Sequence, residues 1–251
     1  MASQIKIFSG TASRYLAEKI CDFFGSPLGK VNVERFKDGE MQITYEESIR
    51  GSDIFIVQST FTPAENMMEL LLLIDTARRA SANQIIVVMP YFGYARQDRK
   101  FKSRVSLGSK LMANLLVAAG ADRILTMALH AGQRQGVFDI RFAHLFASVV
   151  FLPYLRSLGL ENLCIASPDV GGSERARAYA KRLENASLAI IYKHRDKPNE
   201  VASMTVIGIV YVMYVVLVDD LIDTAGTLCK AGEVIMEQGA VSVRAVAKHT
   251  I

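Results

Sequence analysis

The sequence predicts an α/β fold with mostly parallel sheets flanked by helices, arranged as two similar halves. Three observations predict it. Short β-branched runs alternate with longer amphipathic stretches along the whole chain, as strands covered by helices require. The series repeats its logic after residues 140–150, so residues 1–145 and 146–251 read as two domains, with no low-complexity linker between them. The composition supplies the core: of 251 residues, 51% are apolar and 22% charged, which excludes wholesale disorder.

The elements follow in order. Ile5–Phe8 reads as a strand and Ala12–Phe24 as an amphipathic helix. Val31–Phe36 and Gln42–Tyr45 are strands around Lys37-Asp38-Gly39, and Asp-Gly is a common hairpin pair. Ile54–Gln58 is a strand, Glu65–Ala80 a helix and Ile85–Met89 a strand. The helix is apolar nearly all round, so it is either covered on both sides or turns its second face to another subunit. Pro90–Val105 is polar and basic and reads as a loop, before a helix Ser106–Ala119 and a strand Arg123–Leu129. The second half reads His144–Leu158 helix, Leu163–Ala166 strand, Gly172–Leu183 helix and Leu188–Tyr192 strand. Val201–Val218 is 18 residues without a charge. That is the lower edge of a membrane span, but its Val, Ile and Tyr content, Gly208 and the acids that follow favour two buried strands joined by a turn. Val215–Val218 is the second of these, followed by a helix Thr227–Gln238 and a strand Ser242–Ala247.

Charge and cysteine content narrow the function classes. Lys plus Arg is 29 and Asp plus Glu 25, a net charge of +4. That is too weak for a nucleic-acid binder and suits small anionic substrates. Cys21, Cys164 and Cys229 are far apart, which speaks against a disulfide framework or a cysteine zinc site and fits a reducing compartment. The opening MASQIKIFSG lacks a basic start followed by an apolar block. Cytoplasmic location, with no membrane association, is the expectation.

The strongest chemical signal is Val215-Val216-Leu217-Val218-Asp219-Asp220-Leu221-Ile222-Asp223-Thr224-Ala225-Gly226-Thr227. A buried strand delivers two adjacent acids to its C-terminal end, where open α/β sheets place ligands. A short loop then opens a helix, whose free N–H groups and dipole suit a phosphate. Gly226 permits close backbone approach, and Thr224 and Thr227 add hydroxyl donors. The acids can accept sugar hydroxyls or hold Mg²⁺ through water. The plainer alternative is a strand–turn–helix with capping Asp and Thr, but two acids behind four apolar residues are costly without a partner.

This stretch resembles the ribose-5-phosphate signature of the type I phosphoribosyltransferase fold. Together with Phe36-Lys37-Asp38-Gly39-Glu40, Pro90-Tyr91-Phe92-Gly93-Tyr94-Ala95-Arg96-Gln97-Asp98-Arg99-Lys100, Leu129-His130-Ala131 and Ser167-Pro168-Asp169-Val170-Gly171-Gly172, it resembles the ribose-phosphate pyrophosphokinase family, of the phosphate-activated class, in motif order and over essentially the whole chain. The resemblance implies transfer of the β,γ-diphosphoryl group of ATP to the 1-hydroxyl of ribose 5-phosphate, giving phosphoribosyl pyrophosphate (PRPP) and AMP, with Mg²⁺. It implies two phosphoribosyltransferase-like domains: 1–145 with the ATP motifs and regulatory loop, 146–251 with the ribose-5-phosphate loop, the active site lying between them.

Residue roles follow from the same resemblance. Phe36, Asp38, Gly39 and Glu40 would contact the nucleotide from a neighbouring subunit, and Arg96, Gln97, Asp98 and Arg99 would bind ATP. Arginine forks fit phosphate, although the basic loop alone reads equally as a solvated one. His130 and Asp169 would serve the metal. Lys193 and Arg195 would stabilise charge on the transferring group; on motif alone they are two surface cations. Asp219, Asp220, Asp223, Thr224, Ala225, Gly226 and Thr227 would hold ribose 5-phosphate. Lys100, Lys102, Ser103 and Arg104 would form a regulatory anion site, with inorganic phosphate as activator and ADP as inhibitor. The assembly implied is a homo-oligomer, a hexamer built from dimers.

The chain departs from the family pattern in four places. Ala128 stands where an Asp precedes Leu-His, and Ala143 where a second acid is expected. Ile209–Tyr214 is apolar where a polar turn belongs. Family members continue beyond the strand matching Ser242–Ala247, while this sequence ends at Ile251. These departures motivate a first alternative, a catalytically impaired homologue acting as a nucleotide-binding regulatory subunit. A second, a phosphoribosyltransferase, accounts for Asp219–Thr227 but not for Phe36–Glu40 or Tyr91–Lys100.

Overall fold

The computed structural model describes residues 3–100, 102–127, 136, 138–184, 186–194 and 203–250. The chain divides into two compact units, Met1–Leu145 and Phe146–Ile251. In the first, the elements run β1 (Ile5–Ser9), a 3₁₀ turn Thr11–Ser13, α1 (Arg14–Phe24), β2 (Val31–Arg35), β3 (Met41–Tyr45), β4 (Asp53–Val57), α2 (Glu65–Arg79), β5 (Gln84–Met89), α3 (Gly108–Ala119), β6 (Arg123–Met127) and β7 (Arg141–Leu145). Five strands form one parallel sheet in the order β1-β4-β5-β6-β7, and β2 and β3 pair as a separate antiparallel hairpin.

Alternation along the strands builds a core on each face. Ile54, Ile56, Ile85 and Val87 meet α2, α3 and the hairpin, while Ile7 and Val57 meet Ala17 and Cys21 of α1. On α2, Met67, Leu70, Leu73, Ile74 and Ala77 lie at helical spacing and are buried. Each large side chain of that stripe contributes roughly 1.5–3 kcal/mol through burial. Met68 on the same helix is 52% exposed, while Leu71 and Leu72 are partly buried against this core. Glu69, on the same helix, is buried and accepts hydrogen bonds from the N–H and Oγ1 of Thr11, both at 2.6 Å. It thereby ties α2 to the turn after β1.

The second unit runs α4 (Ser148–Ser157), β8 (Leu163–Ser167), α5 (Ser173–Arg182), β9 (Ser187–His194), β10 (Ser203–Ile207), β11 (Tyr214–Ile222), α6 (Gly226–Glu237) and β12 (Ser242–Thr250). Its sheet order is β10-β9-β8-β11-β12, parallel except for β10, which runs antiparallel to β9 at the edge. The unbroken apolar run of β11 follows from burial on both sides. Val215 and Leu217 face Leu228, Ala231 and Ile235 of α6, whereas Val216 and Val218 face α4 and α5.

Three expectations are corrected. The helix read over His144–Leu158 is two elements: Arg141–Leu145 is an edge strand and the helix starts at Ser148. The strand is held by pairing with β6 and by Phe142, which stacks on Phe138 at 4.6 Å. The strand before the acids does not stop at Val218 but runs to Ile222, because β12 pairs with it through Thr250. The first of the two strands in Val201–Val218 is not buried: β10 alternates exposed and half-buried residues, as an edge strand does.

The turn between β10 and β11 is made of poor turn residues, and the backbone shows it. Val210 is buried, Tyr211 and Val212 are exposed, and the N–H of Met213 donates to the carbonyl of Val210 at 3.2 Å. Val212 closes this turn at φ +55°, in the left-handed region that a β-branched residue tolerates badly. Val212→Gly is expected to raise stability by about 1–2 kcal/mol, read as a higher urea midpoint. An unchanged or lower midpoint would show that the turn is not strained.

Candidate active site

In the second unit, parallel strands bring the predicted residues to one edge of the sheet. β9, β8 and β11 are adjacent and point the same way. Their C-terminal ends carry Lys193, Asp169 and the Asp219–Asp220 pair, at a strand spacing of about 4.8 Å. Ile190 is level with Ser167, and Ala166 with Leu217. The acids therefore project beyond the end of β8, where that strand no longer flanks β11, and Lys193 projects further still.

Each position has a local cause. After β8 the chain turns sharply: Ser167 Oγ donates to the carbonyl of Asp169 at 2.6 Å, and Asp169 Oδ1 accepts the N–H of Gly172 at 2.7 Å. Asp169 is left exposed at the head of α5. Asp219 Oδ1 accepts the N–H of Asp220 at 2.8 Å. Arg175, on the first turn of α5, reaches both acids, with Nη1 3.3 Å from Asp219 Oδ1 and Nη2 3.2 Å from Asp220 Oδ2. Burial pushes the Asp219 carboxyl up to about 6; its neighbour Asp220 adds to the rise, and the Arg175 guanidinium offsets part of it. Arg175 escaped the sequence reading. The available signal was electrostatic, since two half-buried acids need a counter-charge and the helix after Gly172 opens with Ser-Glu-Arg.

The loop after β11 leads directly into α6. Asp223, Thr224, Gly226 and Thr227 are exposed, and Ala225 holds φ +59° with its carbonyl accepting the N–H of Cys229 at 2.9 Å. No side chain caps the helix start. The first N–H groups of a helix have no partner within it and attract anions. An added side-chain carbon at Gly226 would meet nothing nearer than Thr224 Oγ1 at 3.8 Å, so the protein's own packing leaves the approach to this backbone open.

In the first unit the basic segment leaves the C-terminal end of β5. It is anchored at Gly93, whose N–H donates to Thr60 Oγ1 at 2.8 Å, and where an added side-chain carbon would lie 2.0 Å from the carbonyl oxygen of Thr60. Gly93→Ala is expected to cost about 1–3 kcal/mol by forcing the two loops apart, seen as a lowered urea midpoint; an unchanged midpoint would contradict that close approach. Arg96, Gln97 and Arg99 are exposed and Asp98 half-buried. Gln97 is held by the loop itself: its carbonyl accepts from Ser109 Oγ at 3.0 Å, and its side-chain oxygen accepts from Ser106 Oγ at 3.0 Å. Lys100, Lys102, Ser103 and Arg104 are exposed, and Arg104 sits at φ +62°.

The hairpin tip forms as its sequence predicts. Phe36 exchanges hydrogen bonds with Gly39 and Glu40, Asp38 Oδ1 accepts the N–H of Glu40 at 3.1 Å, and Gly39 takes φ +95°. Phe36 is 52% exposed. His130 and Arg195 lie outside the described residues, as does Ala128. Ala143 lies in β7. Among the described residues no three His, Cys, Asp or Glu side chains cluster as a metal site, and none of the helices is long and apolar enough to cross a membrane.

Comparison with known proteins identifies the family. A family model for the N-terminal domain of ribose phosphate pyrophosphokinase matches residues 5–120, and one for the phosphoribosyl transferase domain matches residues 143–249. A ribose-phosphate pyrophosphokinase of Porphyromonas gingivalis is 56% identical over 250 residues, covering 99% of this chain and 80% of that protein. One from Chlorobaculum tepidum is 52% identical over 252 residues, covering 100% and 78%. The crystal structure of phosphoribosylpyrophosphate synthetase from Mycobacterium smegmatis matches with a TM-score of 0.93 at 34% identity, over 99% of this chain and 82% of that one. These relatives are named for the enzyme, and the regulatory-subunit reading finds no support among them. The chain belongs to the ribose-phosphate pyrophosphokinase family.

Proposed function

We infer that the chain transfers the β,γ-diphosphoryl group of ATP to the 1-hydroxyl of ribose 5-phosphate, releasing PRPP and AMP. The observation that carries this reading is 56% identity, across 99% of the chain, to a protein of that name. The single sheet edge presenting Lys193, Asp169 and Asp219–Asp220 supports it. Asp219 and Asp220 accept the ribose hydroxyls, and the N–H groups of Thr224 to Thr227, with the two threonine hydroxyls and Asp223 alongside, surround the 5-phosphate. Lys193 and Arg195 offset the charge of the transferring group. Arg96, Gln97, Asp98 and Arg99 hold the ATP phosphates and base, and Phe36, Asp38, Gly39 and Glu40 of a neighbouring subunit close over the nucleotide.

The exposed Asp169 carboxylate suits Mg²⁺, which binds through one or two carboxylates plus substrate phosphates and keeps several waters. Asp169 and His130 would hold it. Bound there, Mg²⁺ supplies neutralisation of phosphate charge. The half-exposed apolar face of α2 around Met68 supports assembly into a homo-oligomer, a hexamer of dimers. Lys100, Lys102, Ser103 and Arg104 provide the anion site for activating phosphate and inhibiting ADP. The protein acts in the cytoplasm.

The test is release of AMP and PRPP from ATP and ribose 5-phosphate with Mg²⁺ and inorganic phosphate. One AMP per PRPP is expected, with neither product when ribose 5-phosphate or Mg²⁺ is omitted. A folded sample that binds ATP and makes no PRPP would overturn the reading.

A further inference from the structure

We propose that the N-terminal end of the first unit's sheet binds a phosphate-type dianion between Arg123 and Arg141. These are the first residues of β6 and β7, and they stand directly opposite each other in parallel register. Their side chains leave the same face of the sheet, one strand spacing of about 4.8 Å apart. Like charges so placed repel. Both residues are exposed, and among the described residues neither side chain forms a hydrogen bond or ion pair.

The acids beside them are already engaged. Asp122 Oδ2 accepts the N–H of Ile85 at 2.8 Å, and Asp139 Oδ2 accepts from Lys110 Nζ at 2.7 Å. These four residues, with Gln84 and Ile140, line a depression of 390 Å³, within the size range of small-ligand sites. Two guanidinium forks facing one space match the geometry of a phosphate, which both relieves the repulsion and satisfies several donors. The place is distinct from the ATP segment. That segment leaves the opposite end of the strands, about 16 Å away along a five-residue strand. The ligand is a phosphate dianion, either free phosphate or the phosphate of a monoester.

Chemical footprinting tests this on the full chain. Arginines are modified with phenylglyoxal at trace conversion and located by peptide mass spectrometry, in chloride or in inorganic phosphate at equal ionic strength. Arg123 and Arg141 are expected to be slowed together, by about tenfold when phosphate exceeds its Kd roughly tenfold, while Arg14 keeps its rate. In Arg141→Ala, Arg123 should lose that protection. Substituting ribose 5-phosphate for inorganic phosphate separates the two sources: equal protection assigns the site to phosphate monoesters in general, and weaker protection assigns it to the free ion. Equal rates in chloride and phosphate would overturn the proposal. So would protection of Arg123 that persists in Arg141→Ala, or both arginines being inert in chloride, which would mean that another copy covers this face.

Discussion

Lys193→Ala is expected to lower kcat for PRPP formation by about 10²–10³, with KM for ribose 5-phosphate and the unfolding midpoint essentially unchanged. Diphosphoryl transfer asks little covalent chemistry of the protein, so its rate rests on positioning and on charge stabilisation as the bond to AMP breaks. Lys193 stands near the end of β9, exposed, beside the strand that leads to Asp169 and two strands from the acids. Its side chain has no hydrogen bond or ion pair with another described residue, so truncating it leaves no described group unpaired. On the proposed reading its contribution is made in the transition state, and a loss made only there lowers kcat and kcat/KM together. Steady-state kinetics over both substrates, alongside urea denaturation, checks this. Retained kcat would remove Lys193 from the transfer step, and a lowered midpoint would reassign it to the fold.

Features that depend on neighbours in sequence were readable without the structure. Val215–Val218 announces a strand buried on both faces because four apolar residues in succession fit nothing else beside two acids. The Asp38-Gly39 turn is equally local, since only glycine takes φ +95° there without strain. Features that depend on partners far along the chain were not. Whether Arg141–Leu145 is a strand is decided by register with β6; on its own, the apolar pattern runs smoothly into the helix behind it. Asp219 and Asp220 stand out in the sequence as candidate ligands, but their counter-ion Arg175 lies 44 positions before Asp219 and is brought to it by α5. Gln97 reads as a free nucleotide contact in the sequence, whereas Ser106 and Ser109 fold back and bind it. In each case the missing information is a tertiary contact, and local propensity yields to it.

Asp219→Asn is expected to weaken the enzyme and stabilise the protein at once. A carboxylate accepting a sugar hydroxyl contributes about 1.5–3 kcal/mol to binding, so kcat/KM for ribose 5-phosphate should fall by about 10- to 100-fold. The stability gain follows from linkage. The Asp219 carboxyl titrates at about 6 in the fold and at 3.8 when free of it. Between those values the folded protein holds a proton that the unfolded chain has released, so stability falls as pH rises through the window. Above it the ionised, half-buried acid costs on the order of 2–3 kcal/mol. Asparagine keeps the shape and the acceptor oxygen, leaves Arg175 to Asp220, and should recover about 1–2 kcal/mol at pH 7.5 but almost nothing near pH 4. The activity profile carries the same titration. In the parent protein, kcat/KM should decline below pH 6 from both the phosphate of the substrate, whose second ionisation is near pH 6, and Asp219. In Asp219→Asn only the substrate's share should remain, giving a shallower limb. Urea midpoints at the two pH values and the paired profiles decide it. A variant less stable at pH 7.5, or two limbs of equal slope, would mean that Asp219 is an ordinary ion-pair partner of Arg175 and carries no cost held for the sugar.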